Sequence, residues 1–378
     1  MATDGAMPAD RVGLGWRPEL VAGIQHHLDR IDVLEVIADG WFDRPPAQWR
    51  ALATLARQVP VLLHGVGMGL ASAWPVQPVR LQAMARLVDK VRPLGWSEHL
   101  AFVRAGGIEI GHLAAPPRTA ATVEGTLRNL REARRVVGSL PMLENIATLI
   151  DPPVSTLDES GWLGAIAEAA DVTLLLDLHN LHANALNFGQ DPLAQLRTLP
   201  LARVRCVHLA GGRWIGNPAA AGRRLLDDHL HDPPDAVFGL LAELAARVPH
   251  ALTVVVERDG AYPPIAELLR QLDLARAALA AGRARRRVPQ GSHALPGQVA
   301  PHGADLERGR RVERLLASVY ADAAARGAFL VDPHGTALRA GCAEQDAMAL
   351  ASLDREGLAF AAASFAHKRG AVALPMNH

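Results

Sequence analysis

The chain has 378 residues, 49% of them hydrophobic, and its 39 Lys+Arg balance 39 Asp+Glu. That length accommodates a barrel of about 250 residues with a small appendage, and zero formal net charge argues against a nucleic-acid binder that relies on a broad basic face. Two cysteines, Cys206 and Cys342, supply neither a disulfide framework nor a thiolate zinc site, and no stretch reaches the roughly 18 apolar residues of a membrane span.

The opening residues, MATDGAMPADR, lack the basic start and apolar run of a signal peptide, so a reduced, cytoplasmic setting is expected. Short apolar runs predict strands over 12–16, 33–38, 61–66, 95–102, 108–113, 142–146, 173–178, 203–209 and 252–257. Between them, amphipathic patterns predict helices over 18–28, 46–58, 78–91, 119–137, 157–169, 192–199, 235–247 and 263–281. Several open with Pro in the first turn, where its missing N–H costs little. Repeated strand–helix alternation implies parallel strands joined by crossover helices. About eight such units favour an α/β fold of the (β/α)8 TIM-barrel type over an open sheet. Segments 95–102 and 108–113 also read as a hairpin across RAGG (104–107).

After the last barrel helix the texture changes. Residues 283–303 are rich in Gly, Pro and Arg and have no apolar period, and read as a linker. The basic run RARRR (283–287) reads as part of that solvated linker rather than as a nucleic-acid patch. Helical patterns over 306–325, 342–353 and 356–368, with a DPHG turn at 332–335, predict a small α-helical C-terminal domain. The organisation is then a barrel over 1–282, a linker over 283–303 and a helical domain over 304–378.

Active sites of such barrels gather where the strands end. The third predicted strand delivers His64, the next Glu98 and His99, and PMLENI gives Glu144 and Asn145. LLLDLHNLHANALNFG gives Asp177, His179 and Asn180, and CVHLAGG gives His208. The loop LLDDHLHDP adds Asp227, Asp228, His229, His231 and Asp232, and TVVVERDG adds Glu257 and Asp259. A single histidine at a strand end is more often hydrogen-bonded structure than ligand. Such a group at nearly every strand end from the third onward points instead to divalent metals held by imidazoles and carboxylates. Glu98 and His99 are neighbours, so only one can face the barrel mouth. Asp227 and His229 are two apart and share a face on extended backbone, and His231 continues that alternation. His179 shares the face of Asp177 on a regular strand, or supports a ligand from behind. His182 reads as a packing or surface histidine.

LHGVGMGLAS, WSEHLAFV, MLENIATL, LLLDLHNLHANALNFG, VHLAGG, DDHLHDPPDAVF and VVVERDG follow the order seen in the multinuclear non-heme iron-dependent oxidative enzymes, the family of the methanobactin-biosynthesis oxidases. The chain resembles that family over residues 11–281. The resemblance implies that His64 and His99 bind one metal, that Glu144 bridges two, that Asp177, His208 and Glu257 bind a second, and that Asp227 and His229 serve a third. Asn180 stands where more distant relatives carry a histidine, which implies a weak or missing third ion. Asp39 stands where the family often has Glu. The resemblance makes Glu144, Asp177 and His231 candidate catalytic groups. Asn145, Asn180 and Asn184 are candidate cofactor-binding amides, with Asn187 beside them as a support or substrate-orienting group. It further implies two or three iron ions of mixed valence, O2 as co-substrate, and a ribosomally made precursor peptide whose cysteine is oxidised. A separate partner protein often captures the peptide leader in this family. The helical tail is expected to do that work here, to dock such a partner, or to serve dimerisation.

Two other enzyme classes share the ligand types. An endonuclease IV-like hydrolase would use a bridging hydroxide, and the neutral charge and Asn180 count against it. A sugar isomerase usually keeps a lysine near the site. Lys90 and Lys368, the only lysines, both lie in predicted helices. A binding scaffold with a decayed site is disfavoured by the completeness of the ligand list.

Overall fold

The computed structural model describes residues 9–216, 222–285 and 305–373, with side chains through Lys368. In chain order the strands are β1 (Arg11–Gly15), β2 (Leu34–Ile37), β3 (Val61–Gly65), β4 (Gly95–His99), β5 (Phe102–Ala105), β6 (Ile108–Ala114), β7 (Met142–Glu144), β8 (Leu174–Asp177), β9 (Val204–Leu209), β10 (Gly211–Ile215), β11 (Arg224–His231) and β12 (Thr253–Val256). Eight of them close a barrel in the order β1–β12–β9–β8–β7–β4–β3–β2, and every pairing in it is parallel. Parallel pairing requires a crossover between successive strands. The amphipathic segments supply it, including helices Pro78–Val91 and Asp235–Arg247 at their expected bounds. Outward strand residues such as Leu63, Leu143, Leu176 and Val254 pack against these helices in one large core.

The inner face is built differently. Val33, Leu62, Met142, Leu175, Cys206 and Val255 form a separate apolar plug inside the barrel. Side chains two apart on a strand share a face. Each plug residue is therefore followed, one layer toward the C-terminal mouth, by a polar one: Glu35, His64, Glu144, Asp177, His208 and Glu257. All six are buried. Water is excluded from below by the plug, and burial holds the Cys206 thiol protonated, with its pKa pushed up to about 12.

Three local departures from the expected elements shape the mouth. β5 and β6 form the hairpin, while Gly95–His99 stays in the barrel. The hairpin turns at Gly106 and Gly107, both at positive φ (56° and 83°), a backbone that suits glycine. The strand ending at Asp177 stops one residue earlier than expected, because Asp177 caps the helix Leu178–Asn187. The segment read as a loop around Asp227 is β11, paired antiparallel with β10.

The C-terminal region is helical: Leu306–Ala321, Ala323–Val331, Pro333–Arg339, Glu344–Leu350 and Arg355–Ala373. The expected 306–325 helix breaks at Asp322, which caps the helix that follows, and DPHG is a helix start capped by Asp332 rather than a free turn. These helices share a core with the hairpin: Phe102, Ala105 and Ile110 pack with Leu316, Tyr320 and Phe365. Of the expected linker, residues 283–285 end the helix Ile265–Ala284 and its cap, and 286–303 lie outside the described residues. Arg283 is committed to the barrel, where it pairs with Asp10 (2.7 Å) and donates to the carbonyls of Ala245 (3.0 Å) and His250 (2.8 Å).

Candidate metal centre at the barrel mouth

The polar layer condenses into four overlapping triads: His64/His99/Glu144, Glu144/Asp177/His208, Glu35/His208/Glu257, and Asp177/His229/Glu257. Glu144 lies at the junction. Its Oε2 is 3.4 Å from His64 Nε2 and 3.3 Å from His99 Nε2, and its Oε1 is 3.1 Å from His208 Nδ1. Glu257 Oε2 lies 3.1 Å from His208 Nδ1 and 3.2 Å from His229 Nδ1.

Each imidazole is aimed from behind. His64 Nδ1 meets Ser97 Oγ at 2.8 Å and His99 Nδ1 meets the Gly65 carbonyl at 3.2 Å. When Nδ1 is the protonated nitrogen, Nε2 is left as a lone pair facing the centre. His208 Nε2 meets Glu35 at 2.9 Å, so its Nδ1 faces inward. Of the adjacent pair, His99 enters the cluster. Glu98 stays buried beside Gly65, where an added Cβ would come within 2.3 Å of its Oε2. The glycine at 65 thus leaves room for a carboxyl between two strands.

Asp177 has two functions. Its Oδ1 accepts the Asn180 N–H at the helix start (2.7 Å), while its Oδ2 is buried without a partner. His229 owes its position to a bulge. Gly211 pairs with His231 and Gly212 with Asp227, so residues 228–230 are displaced from the ladder. His229 there takes a left-handed φ of 55°, and its Nε2 lies 2.9 Å from Asp227 Oδ2 and 3.9 Å from Asp177 Oδ2. His179 holds Asp227 from behind (2.7 Å). Asn187 clamps β11 in place, accepting the Leu225 N–H (2.7 Å) and donating to its carbonyl (3.0 Å).

The bulge also separates His231 from the cluster. Its ring is half exposed and pairs with Asp228 at 2.9 Å, so the alternation expected from Asp227 onward does not hold, and the ring stands outside the four triads. Asn145 and Asn184 are likewise committed elsewhere. Asn145 donates to and accepts from the Asp177 main chain (3.0 and 2.9 Å), and Asn184 bridges Thr148 N–H and Ile146 carbonyl (both 2.8 Å). Through these main-chain hydrogen bonds the two amides brace the mouth. Asn180 differs: its Nδ2 donates to the Asn145 carbonyl (3.0 Å), and its Oδ1 is buried without a partner. Asp39 accepts the N–H groups of Val66 (2.8 Å) and Gly67 (3.1 Å) and so fixes the loop after His64. His182 is partly buried on the same helix as His179.

Sequence reading missed Glu35 and Arg17. Glu35 lies inside an apolar run, and its only signal is its place two residues after Val33, on the inner face. Arg17 is buried against Glu257 (3.4 Å) and Asp259.

The electrostatics follow from these distances. Burial and the neighbouring His99 and His208 rings hold His64 well below the usual imidazole range, and burial lowers His99. Burial also acts to lower His208 and His229, but the carboxylates around them outweigh it and hold both well above that range. Burial raises Glu35 and Glu144, and burial with the nearby Asp227 lifts Asp177 to about 7. Burial acts to raise Glu257 too, yet His229 and His208 hold it well below an ordinary carboxylate.

Buried acceptors cost free energy unless paired. Glu144 Oε2, Asp177 Oδ2 and Asn180 Oδ1 are buried without a hydrogen-bond partner, and Asp177 Oδ2 lies 3.9 Å from His229 Nε2. Oxygen and imidazole ligands with no thiolate fit borderline or hard divalent ions such as iron, manganese or zinc. Above the centre opens a cavity of about 520 Å3, lined by His64, His99, Asn180, His229 and Glu257 among others. That size is within the range of ligand pockets.

Residues 11–280 match the family model described as RiPP precursor modification enzyme MbnB/TglH/ChrH. A UPF0276 protein of Caulobacter vibrioides is 32% identical over 278 residues, 73% of this chain and 96% of the relative. One from Streptomyces avermitilis is 35% identical over 280 residues, 71% of this chain. The aligned part of the chain spans 54% of that relative's length. Among solved structures, D-psicose 3-epimerase from Clostridium cellulolyticum H10 superposes with a TM-score of 0.45 at 13% identity, covering 74% of this chain and all of that one. A xylose isomerase domain protein from Planctomyces limnophilus superposes with a TM-score of 0.47 at 14% identity, covering 74% and 99%.

Proposed function

Since the chain belongs to the MbnB/TglH/ChrH family of RiPP precursor modification enzymes, we propose that it is an iron-dependent enzyme that uses O2 to oxidise a cysteine of a ribosomally made precursor peptide. The observation that supports this reading best is the set of overlapping triads sharing Glu144, Asp177, His208 and Glu257, with several of their oxygens buried and unpartnered. A single-ion site would need only one triad. Carboxylates shared between triads suit a cluster whose members lie close together.

In this reading His64, His99 and Glu144 hold one ion, Glu144, Asp177, His208 and Glu257 a second, and Asp227 and His229 stand beside a third position that Asn180 leaves weaker. Bound iron would supply one-electron redox chemistry with O2, which closed-shell ions do not. Glu35 fixes the ring orientation of His208, and Ser97 that of His64. Arg17 offsets the carboxylate excess at Glu257. The apolar plug excludes water from below. A peptide thiolate would bring the soft ligand that the chain's own donor set lacks.

The test is metal analysis of protein purified without oxygen, followed by O2 uptake in the presence of cysteine-containing precursor peptide. Two or three iron ions per chain, with peptide-dependent O2 consumption, are expected. Zinc alone, with no oxygen uptake, would overturn the reading.

A further inference from the structure

The C-terminal helices form one wall of the cavity above the metal centre. Tyr320 from the helix Leu306–Ala321, with Ser364, Phe365 and Lys368 from the helix Arg355–Ala373, line it, and His112 of β6 stands among them. Phe365 packs edge-on against both His112 (5.6 Å between ring centres) and Tyr320 (5.5 Å), so this wall is a fixed aromatic surface. We propose that it carries a carboxylate-binding subsite, centred on Lys368, that selects a peptide bearing a carboxylate near the residue presented to the metals. The inference rests on the peptide reading above for its ligand class.

The charge pattern singles out Lys368. Two other strong cations line the cavity, and both are committed. Arg104 pairs with Glu109 (2.7 Å) and donates to the carbonyls of Gly67 (2.8 Å) and Met68 (2.9 Å). Arg80 lies 3.6 Å from Asp39. Among the described residues, Lys368 makes no ion pair. Burial, and after it the Lys368 ammonium, lower the pKa of the neighbouring His112 to about 4, so that ring is neutral near pH 7 and adds no second cation. The barrel contributes the carboxylates Asp39, Asp227, Asp228, Glu257 and Asp259 to the same lining. A cation contributed by the helical wall to a cavity whose barrel-side lining is acidic favours a ligand whose negative group lies at that wall. Partial desolvation strengthens such a pairing relative to one in open solvent.

The carboxylate has two sources, the peptide's C-terminus or an Asp or Glu side chain, and two pairs of probes separate them. Ac-Gly-Gly-Cys-Gly with a free or amidated C-terminus tests the first; Ac-Gly-Gly-Cys-Asp-NH2 against its Asn counterpart tests the second. Binding is measured by calorimetry under nitrogen to the full-length protein, to Lys368→Met and to Lys368→Arg, with metal content and thermal midpoint determined on each preparation. In at least one pair the charged peptide is expected to bind about tenfold tighter or more. That preference falls below about twofold in Lys368→Met and survives in Lys368→Arg, with metal content and midpoint unchanged. Equal binding within both pairs, no binding of any probe, or a preference that persists in Lys368→Met overturns the subsite. Loss of the oxidase reading shows separately, as zinc in place of iron with the charge preference intact.

Discussion

Glu313 provides a test of how the helical tail is held to the barrel. It lies on the helix Leu306–Ala321, fully buried, and reaches the loop that follows His64. There Ser72 Oγ donates to its Oε2 (2.6 Å) and the Ala73 N–H to its Oε1 (2.9 Å). Burial pushes its pKa up to about 7 from 4.5; those two hydrogen bonds and the more distant Arg128 and Arg310 pull it back only in part. A group whose pKa is raised on folding favours the folded state while protonated. Its contribution is complete below the unfolded value near 4.5 and is lost as pH rises through about 7. The interval from 4.5 to about 7 corresponds to about 3 kcal/mol. Glu313→Gln removes the titration and keeps both contacts, since the amide oxygen accepts from Ala73 and the amide N–H can donate to Ser72. Urea unfolding of both proteins should therefore show the variant gaining on wild type by about 2–3 kcal/mol between pH 5 and pH 8.5. Taking the difference cancels the other titrating groups. A difference that stays flat across that range would refute the account of Glu313 as a buried, strained carboxyl at the interface.

Three further outcomes follow from the geometry. Glu144→Gln removes a charge shared by two triads, and the variant should hold at most about half the wild-type metal by elemental analysis; unchanged content would show that Glu144 is not a ligand. Gly125→Ala would ordinarily strengthen its helix by about 1 kcal/mol. Here the new Cβ would meet the Ser72 carbonyl at 2.2 Å and Ala73 Cα at 2.8 Å, so a loss of about 1–3 kcal/mol in urea unfolding is expected instead. Asn187→Ala strands both main-chain groups of Leu225. It should cost about 1–3 kcal/mol and weaken metal binding at Asp227 and His229, while binding at His64, His99 and Glu144 is retained, as read by stepwise chelator titration.

The candidate site was legible because five of the barrel strands carry their own record of burial. Leu62 before His64, Met142 before Glu144, Leu175 before Asp177, Cys206 before His208 and Val255 before Glu257 each place an apolar side chain one layer beneath a polar one. Glu35 obeys the same spacing after Val33 but lies inside LEVI rather than at a visible strand end, so reading only the ends passes over it. The placements of His231, Asn145 and Asn184 depart from expectation for a different reason. Alternation along β11 fails because three residues leave the ladder, and no local pattern announces that bulge. The two amides look like site groups until their main-chain partners, distant in sequence, are seen to occupy them. The tail's place at the cavity was hidden for the same reason: Tyr320 and Phe365 meet Phe102 and His112 only in the folded chain.

A division of labour follows from where the segments lie. The family match ends at residue 280, and the cavity wall bearing Tyr320, Ser364, Phe365 and Lys368 begins forty residues beyond it. The floor is tied to eight parallel strands, where moving one ligand shifts a hydrogen-bonded neighbour; His99 and Glu144, for example, are register partners. The wall is held by the hairpin, by the loop at Ser72 and Ala73, by Leu149 and Ile150, and by the Arg224–Asp354 pair to β11 (3.0 Å). A substitution at 364, 365 or 368 is therefore predicted to alter what the cavity accepts while the metal content stays constant, whereas one at Ser97, Gly65 or Glu35 is predicted to lower the metal content. Changes of substrate are thus predicted to concentrate beyond residue 305 and in β5–β6. Grafting a relative's wall residues onto this barrel should change peptide preference while iron content stays constant; a concurrent loss of iron would show that floor and wall are mechanically one unit.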